Sequence, residues 1–289
     1  MKWQDCPGWG ERTLVMGIIN ATPDSFSGDG VKAVCDAVAQ AECQLDAGAD
    51  ILDVGGESSR PGANPVCGSE ERTRVLPVIS AILDCRPKTV ISIDTYRAET
   101  AAAAIDAGAS IVNDIHALSA DPEMPAAVAE RKAAVVLMHN RSRSCAVRRD
   151  RRIGAEYEGA NYGDVIEEVA AELRDGCARA SDAGIIGERI AVDPGIGFGK
   201  SVMQNLALIN HLDRLKRETG FPTLIGPSRK SFIGRVLDMP VEERLEGTLA
   251  CIVAGVLKGT DIVRVHDVVE AARAVRMAVA IREAPEDAS

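Results

Sequence analysis

The chain has 289 residues, 46% hydrophobic and 26% charged, the make-up of a globular protein able to bury a sizeable core. A formal charge of −10 and only 3% aromatic residues argue against a broad nucleic-acid or anionic-membrane surface. Any anionic ligand is therefore left to a few local arginines and lysines, and the length allows one large domain or two ordinary ones.

Residues 14–19 form a continuous apolar run that stops at Asn20, the pattern of a strand buried on both faces. A polar loop through Thr22, Phe26 and Gly30 follows, and helical spacing then runs over 33–45. Residues 50–54 read as the second strand, and a long glycine-rich loop, 55–63, leads to a helix over 69–83. The third strand, 90–93, ends at Asp94 before an alanine-rich helix over 98–107. Residues 111–112 end at Asn113 and Asp114, and Pro122 opens a helix through Arg131. The fifth strand is 134–138, and the arginine-rich stretch 141–162 after it reads either as an anion-recruiting lid or, more plainly, as a solvated loop.

The sixth strand, 190–192, runs into Asp193-Pro-Gly-Ile-Gly-Phe198-Gly-Lys200-Ser201. Its Gly-Lys-Ser ending invites a phosphate-loop reading, but the leading glycine that pattern needs is replaced by Pro194. Residues 223–225 and 261–265 supply the last two strands, and amphipathic patterns at 163–183, 202–217, 241–258 and 267–282 fill the helical slots. The phrase Asp46-Ala-Gly48, repeated at Asp106-Ala-Gly108 and loosely at Asp182-Ala-Gly184, marks helix C-termini. Eight strand–helix units without a composition break predict a single α/β domain over 1–289, a (β/α)₈ barrel with its core at about 13–282. A doubly wound open sheet is the alternative.

The eight cysteines are scattered and the four histidines lack metal-ligand spacing, so reduced thiols and a cytoplasmic location are expected. No run has transmembrane length. In a barrel the strand C-terminal ends converge on one face, and here they carry Asn20, Asp53, Asp94, Asn113, Met138-His139, Asp193, Gly226 to Lys230, and Arg264 to His266. Two carboxylates (Asp94, Asp193), an amide (Asn113) and a lysine (Lys230) suit a flat, hydrogen-bonding heterocycle. Lys230 near Asp193 is expected to keep that carboxyl ionised, and Arg60, Arg264 and His266 suit an anion such as a diphosphate.

The strings Met16-Gly-Ile-Ile-Asn20-Ala-Thr-Pro-Asp-Ser-Phe-Ser27, Asp53-Val-Gly-Gly-Glu-Ser-Ser-Arg-Pro-Gly62, Asp94-Thr95, Asn113-Asp114-Ile115, Asp193-Pro-Gly-Ile-Gly-Phe-Gly199, Ser228-Arg-Lys-Ser-Phe232 and Arg264-Val-His266 occur in the order found in the dihydropteroate synthase family. The chain resembles that family from about Leu14 to Ile281. The resemblance implies a barrel with its active site at the strand C-terminal ends, joining 6-hydroxymethyl-7,8-dihydropterin diphosphate to 4-aminobenzoate in folate synthesis. It implies catalytic roles for Asp94, Asp193, Lys230 and Arg264, and a pterin site of Asp94, Asn113, Met138, Asp193, Phe198, Gly226 and Lys230. It further implies diphosphate binding by Asn20, Arg264 and His266, with Mg²⁺ held at Asn20, and an aminobenzoate site of Phe26, Ser59, Arg60, Pro61 and Ser231. A homodimer through the late helices belongs to the same expectation.

Met138-His139-Asn140-Arg141 departs from the family, which usually has a second methionine and then a glycine there. The first loop shortened after Gly30, and Ser59 where threonine is common, touch the aminobenzoate side and leave sulfonamide sensitivity open. Two other classes stay open. A pterin-dependent methyltransferase domain is disfavoured by the loop through Phe26 and by Ser228-Arg-Lys-Ser-Phe232, whereas a silent pterin-binding barrel differs only in turnover.

Overall fold

The computed structural model describes residues 1–21, 30–59, 62–142 and 146–285. Phe26, Arg60 and Pro61, named above for the aminobenzoate side, lie outside the described residues. Eight parallel strands form one sheet: β1 (Leu14–Asn20), β2 (Ile51–Gly55), β3 (Val90–Asp94), β4 (Ile111–Asp114), β5 (Ala134–Met138), β8 (Ile190–Asp193), β9 (Leu224–Ile225) and β10 (Ile262–Val265). Their order is β8-β5-β4-β3-β2-β1-β10-β9, and a parallel bridge between Val192 and Thr223 joins the two edges. The barrel expected from the sequence is present, and the open-sheet alternative is set aside.

Period-2 alternation sorts the strand side chains into two apolar layers. Leu14, Met16, Ile51, Ile111, Ala134, Val136, Ala191, Leu224 and Ile262 share a cluster inside the barrel, closed at its N-terminal end by Trp3 and Cys6. The alternate positions, such as Val15, Leu52, Ile91, Val112, Val135, Val192 and Val263, pack outward against the helices. Parity thus decides which strand-end residue faces the barrel axis: counting in twos from the inner cluster reaches Asn20, Asp53, Asp94, Asn113, Met138, Asp193, Gly226 and Arg264. The register places Asn20 beside Gly55, Gly55 beside Asp94, and Asp94 beside Asn113 on one continuous rung.

The helices surround this sheet: α1 (Gly30–Asp46), α2 (Gly68–Cys85), α3 (Ala98–Asp106), α4 (Met124–Glu130), α5 (Val165–Asp182), α6 (Val202–Asn210), α7 (Leu212–Thr219), α8 (Ser231–Leu237), α9 (Leu245–Leu257) and α10 (Val268–Glu283). The single pattern read over 202–217 is two helices, because His211 leaves helical geometry at φ −115° and ψ 28°. The helix read from Pro122 begins later, at Met124, since the Asp121 side chain accepts the Ala98 and Glu123 amides before it. A further helix, α8, follows the Ser228-Arg229-Lys230 string directly, over residues to which the sequence reading assigned no element. No described helix is long and apolar enough to cross a membrane.

The arginine-rich stretch is more than a loop. It contains an antiparallel hairpin of β6 (Val147–Asp150) and β7 (Gly154–Tyr157) docked on the barrel top. Arg235 of α8 holds Asp150 at 3.0 Å and both carboxylate oxygens of Glu156, while buried Arg244 donates to Ile153 O at 2.7 Å. Two of the hairpin's arginines form ion pairs, Arg148 with Glu158 and Arg152 with Asp238.

Candidate active site

Inward parity and shared register bring four strand ends into one polar network. Arg264, near the end of β10, donates from Nε to Asp53 Oδ2 at 2.6 Å and from Nη2 to Asp94 Oδ2 at 2.7 Å. Asn113 Nδ2 donates to the same Asp53 oxygen at 3.0 Å. The sequence reading gave Asp53 a strand end and no role, yet it is fully buried and joins β2, β4 and β10. Its place was legible in principle: it lies two residues from inward-facing Ile51 in a short strand. Arg264, expected in catalysis and at the diphosphate, is tied by the structure to the Asp94 side as well.

On the other side of the barrel, Met138 of β5 registers with Asp193 of β8, and both are buried. Asp193 Oδ1 accepts the Gly195 N–H at 2.6 Å, so the turn folds back on its own carboxylate. Lys230, the residue before α8, lays its Nζ 4.0 Å from the centre of the Phe198 ring. A Cβ at Gly197 would stand 2.9 Å from Lys230 Cδ, and φ there is +84°, which accounts for glycine beside the lysine stem. At Gly226 an added Cβ would meet Arg264 only at 3.8 Å, so the protein itself does not demand glycine there. His266 Nδ1 lies 2.9 Å from Ser228 Oγ, tying the end of β10 to the loop after β9.

Electrostatics follow from burial. Desolvation pushes Asp94 up from 3.8 to about 7 against the pull of Arg264 and Lys230, with Asp53 and Glu71 adding to the rise. Desolvation is also the largest influence on Asp193, raised from 3.8 to about 6, while the Gly195 N–H, Lys230, Lys200 and Arg264 draw it back. Lys230 thus opposes the desolvation of Asp193, as expected, and the carboxyl is raised without being carried above neutral pH. Arg264 stays charged, because Asp53 and Asp94 offset its own desolvation.

Ser59 and Asp94 line one small recess of about 20 Å³ with Glu57, Thr95 and Tyr96. Ser231 lines a larger cavity of about 410 Å³ between α8, the start of α6 and the hairpin, with Tyr157, Ser201, Asn205 and Phe232. None of Asp53, Asp94 and Asn113 lines that cavity. The loop after β2 is fastened at both ends. Glu57 Oε2 accepts from Val66 N at 3.2 Å and Arg97 Nη2 at 2.7 Å, and the same Arg97 nitrogen donates to Val66 O at 2.6 Å.

Among the described residues no group of three or more His, Cys, Asp or Glu side chains is arranged to hold a metal ion. Asn20, part-buried at the end of β1, offers one hard amide oxygen. Mg²⁺ takes few protein ligands and fills its octahedral shell with phosphate oxygens and water, so this donor fits a metal arriving with a diphosphate better than a protein cage.

The pterin binding enzyme family model matches residues 16–266. The dihydropteroate synthase of Clostridium beijerinckii is 46% identical over 270 residues, covering 93% of this chain and 94% of that protein. Among solved structures, Clostridium difficile dihydropteroate synthase in the presence of pteroic acid superposes with a TM-score of 0.86 at 42% identity, over 96% of this chain and 99% of that one. Xanthomonas albilineans dihydropteroate synthase with 4-aminobenzoic acid also gives 0.86, at 39% identity, over 97% and 98% of the two chains. The chain belongs to the dihydropteroate synthase family of pterin binding enzymes.

Proposed function

We infer that this chain is a transferase that condenses 6-hydroxymethyl-7,8-dihydropterin diphosphate with 4-aminobenzoate, giving 7,8-dihydropteroate and diphosphate in folate synthesis. The observation that carries the reading is the network of Asp53, Asp94, Asn113 and Arg264 at the strand ends of a chain in this family. Asp94, Asn113 and Asp193 offer acceptors and donors for the amino and amide edge of the pterin, Lys230 donates at the ring, and Met138 and Phe198 pack beside it.

In the reaction the bond between the exocyclic methylene and the diphosphate oxygen breaks, and the electron pair leaves with diphosphate. The electron-rich pterin supports the positive charge on the methylene, the aminobenzoate nitrogen bonds to it, and that nitrogen then loses a proton. Arg264 and His266 stabilise charge on the leaving group, which is where a weak nucleophile needs help. Mg²⁺, with Asn20 as its protein ligand, would supply Lewis-acid stabilisation of the same charge. Ser59, Ser231 and the loop residues Phe26, Arg60 and Pro61 are proposed to receive aminobenzoate, and sulfonamides that mimic it to compete there.

A cytosolic location and a homodimer belong to the proposal. The dimer is supported by the exposed apolar side chains of Leu257 on α9 and of Met277 and Ile281 on α10. The test is an assay of the purified protein with both substrates and Mg²⁺. Dihydropteroate is expected, with Asp94→Ala or Lys230→Ala lowering the rate on the order of 10²–10⁴-fold. Pterin diphosphate binding without product would mean a silent barrel, and near wild-type rates in both variants would refute the site assignment.

A further inference from the structure

Lys200, the lysine of the rejected phosphate-loop pattern, is buried at 4% exposure and has no part in the chemistry above. Its Nζ lies 3.0 Å from His139 Nδ1, 3.0 Å from Gly195 O and 3.1 Å from Phe198 O. An ammonium has three donors, and these three acceptors use all of them. With His139 as the tautomer protonated at Nε2, that nitrogen faces Glu172 Oε2 at 3.0 Å. Burial and the Lys200 charge lower His139 from 6.5 to about 4, so the imidazole stays neutral and Nδ1 remains an acceptor. Burial likewise lowers Lys200 from 10.5 to about 7, with Asp193 and Glu172 opposing that fall.

The lysine therefore grips both the start and the end of the turn after Asp193. At the start, Gly195 donates to Asp193 Oδ1, and a Cβ on Gly195 would stand 1.9 Å from His139 O, so the turn is pressed against the end of β5. At the end, Phe198 carries the ring beneath Lys230 Nζ. We propose that Lys200 is a positioning residue for pterin recognition, whose buried ammonium ties this turn to His139 and so sets the places of Asp193 and Phe198. The proposal rests on the reading that Asp193 and Phe198 receive the pterin.

Lys200 also acts through charge. The charged groups that draw the Asp193 carboxyl down are Lys230, Lys200 and Arg264. Those facing Lys200 are Asp193, Glu172, Arg141 and Lys230, beside His139. Removing the Lys200 charge makes Asp193 harder to ionise, which a loss of packing alone would not do.

The experiment compares wild type with Lys200→Met, measuring KM for each substrate, kcat, thermal unfolding, and the pH dependence of pterin diphosphate binding. A folded Lys200→Met protein is expected to raise the pterin KM about tenfold and leave the aminobenzoate KM within about twofold. The acid limb of its pterin-binding profile is expected to move to higher pH. Equal changes in the two KM values, or none, with an unmoved acid limb would overturn the proposal. Should Lys200→Met fail to fold, His139→Leu removes one acceptor and is expected to raise the pterin KM about threefold, with recovery in His139→Gln. An unchanged pterin KM in folded His139→Leu would likewise overturn it. Wild type that makes no dihydropteroate defeats the functional reading, whereas active wild type with an unaltered variant defeats only this proposal.

Discussion

Arg264 Nη2 donates to Asp94 Oδ2 across 2.7 Å, so the last strand of the barrel holds the carboxylate that ends the third. The same guanidinium reaches Asp53 through Nε, and its rigid planar fork fixes the two carboxylates in one geometry, which a flexible ammonium stem does not impose. Arg264→Ala leaves both carboxyls buried without their partner. The expected result is a loss of about 3 kcal/mol of stability and on the order of 10²–10⁴ in kcat/KM. Arg264→Lys is expected to restore only part of either, and denaturant unfolding with steady-state kinetics reads both.

Asp94 and Asp193 have folded-state values of about 7 and about 6, above their ordinary 3.8. A carboxyl raised on folding stabilises the fold fully below its unfolded value, and that contribution is lost as pH rises through the folded one. The ligand-free protein is therefore expected to lose stability between about pH 4 and pH 7 from these two groups. Asp193→Asn is expected to flatten that part of the curve, as followed by calorimetric melting across pH. Pterin binding should run the other way, tightening as Asp193 ionises.

Glu57 fastens both ends of the loop after β2 by accepting from Val66 N and Arg97. Glu57→Gln keeps the shape and removes the charge that Arg97 pairs with. The aminobenzoate KM is expected to rise about fivefold while pterin diphosphate affinity holds within about twofold. A matching loss of pterin affinity in calorimetry would show that the staple is not specific to this loop.

The hairpin rests on α8 through Arg235, which pairs with Asp150 and Glu156. Arg235→Ala is expected to raise local opening, with protease cleavage within 146–160 about tenfold faster, and to change global stability by less than about 1 kcal/mol. Timed proteolysis followed by mass spectrometry checks the first, and chemical denaturation the second.

Much of the barrel was legible because a parallel strand buried on both faces is apolar along most of its length, and most such runs here stop at a polar residue. The strings around Asp94, Asp193 and Lys230 were legible for the same reason. Asp53, His139 and Lys200 were missed as functional candidates because their importance lies in partners 60 or more residues away, or across a turn that doubles back. The hairpin escaped notice because arginines in a polar stretch look alike whether they face solvent or pair with Glu158 and Asp238.

Asp193 shows where the two kinds of information divide. Local chemistry alone determined that a short apolar strand ends at a carboxylate and turns at Pro194, since both follow from neighbouring residues. It also excluded a phosphate cradle, because Pro194 stands where glycine is required. The tertiary structure decided the carboxyl's protonation, its contact with the turn, and the direction of Lys200, which points inward to His139 instead of toward a ligand. Burial and long-range charge are properties of packed neighbours, and no local pattern carries them.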